Sequence, residues 1–145
     1  MPEKTTQTYA NHTRLDPPFH FFAVPVLAIT LLLSIWNLIR SFNFLHAWLV
    51  VVALALIVVA LRARIYALKA QDRVIRLEER LRLAALLPDS LKARIPQLTE
   101  SQLIALRFAS DAEVAELVEK ALAGKLPSAE IKKAIVNWRP DYYRV

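Results

Sequence analysis

Residues 21–61 read FFAVPVLAITLLLSIWNLIRSFNFLHAWLVVVALALIVVAL and decide the fold. They hold two apolar runs, Phe21–Ile39 and Phe44–Leu61, and neither run contains Asp, Glu, Lys or Arg. At a rise of about 1.5 Å per residue, a helix over either run could cross a hydrocarbon layer roughly 30 Å thick. Because Arg40–Asn43 alone separates the runs, we expect two antiparallel neighbouring helices. The stretch therefore predicts a transmembrane helical hairpin.

The chain becomes basic directly after the second run. Residues 62–98 contain nine Lys or Arg against four Asp or Glu, which supplies most of the net charge of +6. Cationic side chains collect at the cytoplasmic ends of membrane helices, so we expect a multi-pass protein with both termini cytoplasmic. Anionic lipid head groups near Arg62–Arg82 are the expected lipid partners. Nucleic acid is not an expected partner, because residues 99–145 carry no excess of basic residues.

Helix breakers predict the division of the remaining chain. None occurs between Phe44 and Leu87, and Pro88 is the first, so the second membrane helix is expected to extend into the cytoplasm. The sequence predicts an all-α protein with four segments. These are a polar N-terminal strap at 1–18, the hairpin at 19–61 (helices at about 19–39 and 44–61), a basic cytoplasmic helix at 62–87, and a small helical cytoplasmic domain with an aromatic tail at 88–145.

The basic cytoplasmic helix carries a row of apolar residues with heptad spacing. Its members are Ala67, Ala70, Val74, Leu77, Leu81 and Ala84. Such spacing is typical of a helix that packs along another helix. The row is short and half of it is Ala, so two arrangements fit equally well: a seam between two copies, or packing on the C-terminal domain of the same chain. The acid-first pairs Asp72–Arg76 and Glu78–Arg82 are expected to support the helix.

Capping patterns predict three helices in the C-terminal domain. Thr99–Gln102 fits a capping box, and Ser110–Glu113 fits a second one. Gly124 is placed to end the second helix in the left-handed conformation. Ser128 is placed to cap a third helix, which is expected to carry Trp138 on its apolar face.

The composition excludes several kinds of chemistry. The absence of cysteine excludes disulfides, thiolate metal sites and iron–sulfur clusters. A single glycine, Gly124, excludes a phosphate-binding loop and a dinucleotide fingerprint. The acidic residues between Asp111 and Glu119 complement the start of a helix and favour a solvated face over a catalytic pair. We therefore predict a protein that is not an enzyme, with no cofactor and no metal.

Three histidines are the remaining candidates for a cofactor. His20 precedes the first run and His46 begins the second, so the hairpin places them about one bilayer thickness apart. Two such residues cannot ligate one haem within a single chain. His12 and His20 lack the spacing of a ligand pair on a helix. His20 and His46 stay weak candidates, with a dimer that pairs two His46 residues as the one geometry for haem or pigment.

The C-terminal tail combines aromatic rings with arginine. Such a tail can cover a core, lie on head groups or dock into a partner. With the strap and the first cations after the hairpin, it makes up the predicted interaction surface. The predicted interaction residues are Tyr9, His12, His20, Arg62, Arg64, Trp138, Tyr142, Tyr143 and Arg144.

Motifs at both ends of the chain resemble a known family. They are Gln7-x-Tyr9-Ala10-Asn11-His12 near the start and Asn137-Trp138-x-Pro140-Asp141-Tyr142-Tyr143-Arg144 near the end. In these motifs the chain resembles small bacterial two-span membrane proteins that are grouped as a domain of unknown function. The resemblance implies a bacterial cytoplasmic (inner) membrane protein with the topology above, and it assigns no activity. It also draws attention to the strap and the tail, which could pack against each other.

The sequence favours a non-catalytic integral membrane protein that acts through protein–protein contacts. Its partners would be other membrane-protein subunits, which it serves as an accessory or scaffold subunit, or further copies of itself in a homo-oligomer. One alternative is an electron-transfer subunit that binds haem or a pigment. Another is a membrane organiser that binds anionic lipid.

Overall fold

Two long apolar helices, α1 (Val24–Arg40) and α2 (Phe44–Leu86), dominate the computed structural model, which describes residues 7–11 and 15–141. A π-helical turn at Pro18–Ala23 leads into α1. The π-helical turn together with α1 (Pro18–Arg40), and α2 by itself, are each long and apolar enough to cross a membrane. Apolar helices of this length in a water-soluble protein are normally buried, whereas almost none of the side chains in these apolar stretches is buried inside the molecule.

The start of the first helix lies beside the middle of α2. An ion pair joins Asp16 to Arg64 with 3.4 Å between Oδ2 and Nη1. Because Asp16 precedes α1 and Arg64 lies 20 residues into α2, the two helices run antiparallel, as the short linker predicts. The side chain of Asn43, the residue before α2, accepts a hydrogen bond from the backbone N–H of His46 in the first turn of the helix.

The predicted continuity of α2 is confirmed. The helix runs for 43 residues without a break and ends at Leu86, just before Pro88. Shorter elements follow it: α3 (Asp89–Lys92), a 3₁₀ turn (Ile95–Gln97), α4 (Glu100–Leu106), α5 (Val114–Gly124) and α6 (Ser128–Ala134). The described residues contain no strand beyond one isolated bridge, so the chain is all-helical as expected.

The described residues form two compact units. The hairpin unit comprises residues 15–69, and the helical unit comprises residues 7–11 and 70–141. The segments expected from the sequence ended at residues 18, 61 and 87. In the structure the N-terminal segment 7–11 belongs to the helical unit, and the boundary between the units falls inside α2.

The core of the helical unit is made by the end of α2 and the elements after it. A single buried cluster holds Leu83, Leu87, Leu91, Ile95, Leu98, Leu103, Ala105, Leu106, Phe108, Ala109, Val114, Leu117, Val118, Ala121, Ile131 and Ile135. Helix α4 begins with the predicted capping box, in which Thr99 and Gln102 each satisfy the backbone of the other.

Two predicted helix ends are wrong by one residue. Gly124 is the last residue of α5, and Lys125 takes the left-handed conformation with φ 47°. The Leu126 side chain folds back so closely that a Cβ at Gly124 would lie 3.1 Å from it, so this glycine provides space rather than a positive φ. Ser128 is the first residue of α6, and Pro127 occupies the capping position.

Candidate interaction surface

The helical unit packs against one face of α2 and the residue that follows it. Ile75, Glu79, Leu83 and Leu87 recur every four residues, and all four are buried. Residues at this spacing lie above one another on a helix. Leu83, at 0% exposure, is part of the core described above. This row is therefore the surface on which the C-terminal helices are built.

The heptad row lies on the other side of α2 and stays exposed. Val74, Leu77 and Leu81 are 55%, 60% and 64% exposed. Ala70 and Ala84 are exposed as well, and we call these five residues the apolar stripe. Helix α2 does pack on the chain's own C-terminal domain, one of the two arrangements that the sequence left open, but the contact is made by the opposite face of the helix and not by this row. Ala67 belongs to the hairpin unit and is half-buried.

Arg82 ties α2 to the loop between α4 and α5. Its guanidinium donates to Asp111 Oδ1 at 2.6 Å, to the carbonyl oxygen of Ala109 at 2.7 Å and to Glu79 Oε1 at 2.9 Å. The predicted pair between Glu78 and Arg82 is wrong, because Arg82 turns toward the buried side of the helix. Charge-assisted bonds with several acceptors are among the stronger polar contacts in proteins.

Glu79 is the buried acid of this network. Its side chain is 3% exposed, and it lies well beyond the apolar stretch of α2. Burial raises the pKa of Glu79, while the charge and hydrogen bond of Arg82 oppose that effect. The pair with Arg82 thus keeps an otherwise costly buried carboxyl group compatible with the fold.

Arg76 also holds the helical unit together. Its guanidinium pairs with the carboxylate of Glu100, the first residue of α4, and its Nε donates to the carbonyl oxygen of Asp72. The predicted contact with the Asp72 carboxylate is therefore replaced by one with the Asp72 backbone. An acid at the start of α4 also complements the positive end of the helix.

The basic run divides into paired and exposed residues. Arg64, Arg76 and Arg82 pair with acidic residues. The other members are exposed and pair with no acidic residue in the described part of the chain: Arg62, Lys69, Arg73 and Arg80. Of the predicted interaction residues in this run, Arg62 is therefore accessible, whereas the Arg64 side chain is 13% exposed and lies over the Phe19 ring.

Glu113 organises the loop after α6. Its Oε1 accepts from the backbone N–H groups of Ser110 and Asn137, each at 3.1 Å, and its Oε2 accepts from that of Val136 at 3.0 Å. Partial burial alone would raise the pKa of Glu113, but these N–H groups and the Ser110 hydroxyl lower it below its ordinary value. The predicted capping box is half formed, because the Ser110 hydroxyl bonds to the Glu113 carboxylate instead of capping α5.

The two ends of the described chain meet in the helical unit. The Gln7 side chain donates to the carbonyl oxygen of Asp141 at 3.2 Å and accepts from its backbone N–H at 2.9 Å. The Asp141 carboxylate also pairs with Arg107 at 3.3 Å. Tyr9 is 42% exposed, with Lys133 Nζ 5.7 Å from its ring centre. The strap and the tail are therefore in contact, and the hydrogen bonds between them come from Gln7.

Trp138 is used inside the fold. Its ring packs against Phe108 with 5.1 Å between ring centres, and its backbone forms the isolated bridge with Ala109. Helix α6 ends at Ala134, so the prediction that Trp138 lies on this helix is wrong. The tail residues Tyr142, Tyr143 and Arg144 lie outside the described residues, as does His12 of the strap.

The structure does not bring His20 and His46 together. His20 Nδ1 lies 2.9 Å from the carbonyl oxygen of Asp16, and His46 Nδ1 lies 2.6 Å from that of Ser41. Helix α1, about 25 Å long, separates them. Within residues 7–11 and 15–141, no group of three or more His, Cys, Asp or Glu could hold a metal ion.

Comparison with known proteins places the chain at the level of a family. No curated protein and no solved structure matches it. The sequence model of a family described as a family of unknown function, DUF6526, matches residues 1–145. This agrees with the resemblance seen in the motifs at the two ends. The chain, with its two apolar helices and its helical C-terminal unit, therefore belongs to the DUF6526 family.

Proposed function

We propose that this chain is a non-catalytic integral membrane protein that works through protein–protein contacts. It serves as an accessory or scaffold subunit of a larger bacterial membrane complex, or as a self-associating organiser. The observation that carries the proposal is the apolar stripe on α2, which remains exposed after the helical unit has formed its own core. A contiguous exposed apolar surface marks a contact site in soluble parts of proteins.

The polar network of the helical unit supports a non-catalytic role. Arg82, Glu79 and Asp111 bond to one another or to backbone, and Glu113 is saturated by backbone N–H groups. These groups join α2 to the loops that follow it. Their hydrogen bonds therefore account for their presence without a substrate.

The proposed topology has both termini in the cytoplasm of a bacterial inner membrane. It is supported by the length of the two apolar helices and by exposed cations such as Arg62, which follow the apolar part of the second one. Labelling with a membrane-impermeant maleimide tests it, since the chain has no native cysteine. We expect Ser41→Cys to react from outside intact cells and Ser90→Cys to react after permeabilisation alone. The reverse pattern would overturn the orientation.

Anionic lipid is the second partner that we propose. Four exposed cations, Arg62, Lys69, Arg73 and Arg80, support it, at about 1 kcal/mol for each one close to the surface. The purified protein should associate more tightly with liposomes that contain phosphatidylglycerol than with neutral ones, and the preference should weaken with salt. Equal binding to both would remove lipid recognition from the proposal.

The test of contact-based function is the mass and composition of the purified particle. Full-length protein extracted in mild detergent should run above the monomer mass, either as several copies or with a companion subunit. Leu77→Glu, on the stripe, should shift it toward the monomer. Leu86→Glu, an exposed leucine near the end of the same helix, should not. A lone monodisperse monomer of the unmodified chain would overturn the proposal.

A further inference from the structure

We propose that a second copy of this chain covers the apolar stripe, so that two α2 helices pair in parallel as a short two-stranded coiled coil. This inference rests on the proposed contact-based function and names the partner. The opposite face of α2 is already occupied by the helical unit of the same chain, through Ile75, Leu83 and Leu87. The stripe can therefore meet a second copy without disturbing that packing.

The residue types at the centre of the stripe match those of a parallel dimer. In the heptad frame that its spacing defines, Val74 and Leu81 occupy a positions, and Leu77 occupies a d position between them. Val74 at a followed by Leu77 at d follows the pattern that favours two parallel strands, a β-branched residue at a and leucine at d, whereas Leu81 supplies an unbranched-Cβ apolar contact at the next a position. Ala70 and Ala84 take the d positions at either end, where their short side chains let two backbones approach.

The membrane supports the parallel direction. Two copies that are inserted with the same orientation in one bilayer present their α2 helices in the same direction. Confinement to the membrane also raises their effective concentration, so a seam of five residues can suffice where a free peptide of that length would not associate. A symmetric pair of this kind is closed and buries the same stripe from both copies.

Charges beside the stripe fit the same geometry. In a parallel pair, a g residue lies near the e residue that is five positions further along the other helix. Arg73 is a g residue and Glu78 is the e residue five positions later, so Arg73 of each copy would meet Glu78 of the second copy. Both side chains are exposed, and neither pairs with an oppositely charged group in the described part of its own chain. Twofold symmetry makes the contact twice.

Disulfide cross-linking of the full chain in native membranes tests the proposal. The chain contains no cysteine, so each single-cysteine variant reports on one position. Leu77→Cys should form a covalent homodimer about tenfold faster than Leu86→Cys when copper phenanthroline is added. Leu86 is the matched control, because it is an exposed leucine nine residues further along α2, about half a turn around the helix.

A charge exchange tests the direction and register. In the Leu77→Cys background, Arg73→Glu and Glu78→Arg should each slow cross-linking by about threefold, and the double variant should restore it. Arg80→Glu is the control, since Arg80 is also a g residue but the residue five positions later is Ala85. It should change the rate little.

The outcomes separate this inference from the proposed function. If Leu77→Cys cross-links no faster than Leu86→Cys while the particle stays larger than a monomer, the second copy is excluded and contact-based function stands. A covalent product with a different protein also excludes the second copy at this stripe. If the particle is a lone monomer, both proposals fall. If the charge exchange fails to restore cross-linking, the parallel register is overturned.

Discussion

Replacing Glu113 should loosen the segment that closes the helical unit. One carboxylate accepts three backbone N–H groups, from Ser110, Val136 and Asn137. In Glu113→Gln a single carbonyl oxygen remains, and the amide NH₂ would face the N–H of Val136 as a second donor. Hydrogen bonds to charged groups contribute about 1.5–3 kcal/mol each when buried, and less at this partly exposed site. We expect a total loss of about 2 kcal/mol in the free energy of unfolding.

Urea unfolding in mild detergent measures this loss. Fluorescence of Trp138 can be followed in a background in which Trp36 and Trp48 are replaced by phenylalanine. A loss of about 2 kcal/mol should lower the midpoint by roughly 1–2 M. Glu116→Gln is the matched control, because Glu116 lies exposed on α5, three residues after Glu113, and its one ion pair in the described part of the chain is with Lys120; it should cost under about 0.5 kcal/mol. Equal midpoints for Glu113→Gln and the unmodified chain would refute the role of this carboxylate.

The same loss should depend on pH in a defined direction. The pKa of Glu113 is lowered in the folded chain, so its carboxylate stabilises the fold above the unfolded pKa of about 4.3. That stabilisation disappears as the pH falls through the folded pKa. The difference between the unmodified chain and Glu113→Gln should therefore be constant from pH 6 to 7 and shrink below pH 4. A difference that grows on acidification would contradict the assignment.

Three further substitutions have definite expected outcomes. Leu83→Ala removes a fully buried side chain and should lower the free energy of unfolding in urea by about 2–5 kcal/mol. Leu81→Ala, at a 64% exposed position on the same helix, should lower it by under about 1 kcal/mol at detergent dilutions that favour monomers, and equal losses would contradict the assigned faces. Lys125→Gly relieves a positive φ and should raise the free energy of unfolding by about 1 kcal/mol, so a lower midpoint would count against the left-handed turn. Gln7→Ala removes both hydrogen bonds to the Asp141 backbone and should speed deuterium exchange at that amide, and unchanged exchange would show that the contact does not protect it.

The two apolar helices and the continuity of α2 could be predicted because each follows from the local sequence alone. Uncharged runs of 18 and 19 residues admit helices, and the chain offers no breaker from Phe44 to Pro88. The capping box at Thr99 is also local, since its two partners lie three residues apart on the same backbone. Each of these features depends on neighbours in sequence, so the sequence contains the needed information.

The turns and the end of α6 were harder to predict because packing decides them. Gly124 looks like a left-handed cap, but the return of Leu126 over it moves the positive φ to Lys125. Trp138 continues the periodicity of α6, yet its backbone bridge to Ala109 and the packing of its ring against Phe108 favour extended backbone there. Contacts between residues about 30 apart override the local pattern in this case.

The candidate surface was predictable in part. Heptad spacing predicts the stripe, but the spacing alone fits both a second copy and the chain's own C-terminal domain as its partner. The burial of Ile75 and Leu83 shows that the C-terminal domain packs on the opposite face. Arg82 pairs with Glu79 and Asp111 because the loop between α4 and α5, more than 20 residues later in the sequence, packs beside it, and the local sequence does not show this. For Glu113 a signal existed in the Ser110–Glu113 spacing, although it does not show that Val136 and Asn137 share the carboxylate.

The link between Gln7 and Asp141 sets the order in which the molecule can be completed. The two residues are separated by 134 positions, so Gln7 has no Asp141 to bond with until 134 further residues have been synthesised. By then both apolar helices have been synthesised and are available for insertion. Closure of the helical unit by this link therefore follows the synthesis of both apolar helices, and a ribosome stalled shortly before Asp141 would hold a chain in which Gln7 has not yet met its partner.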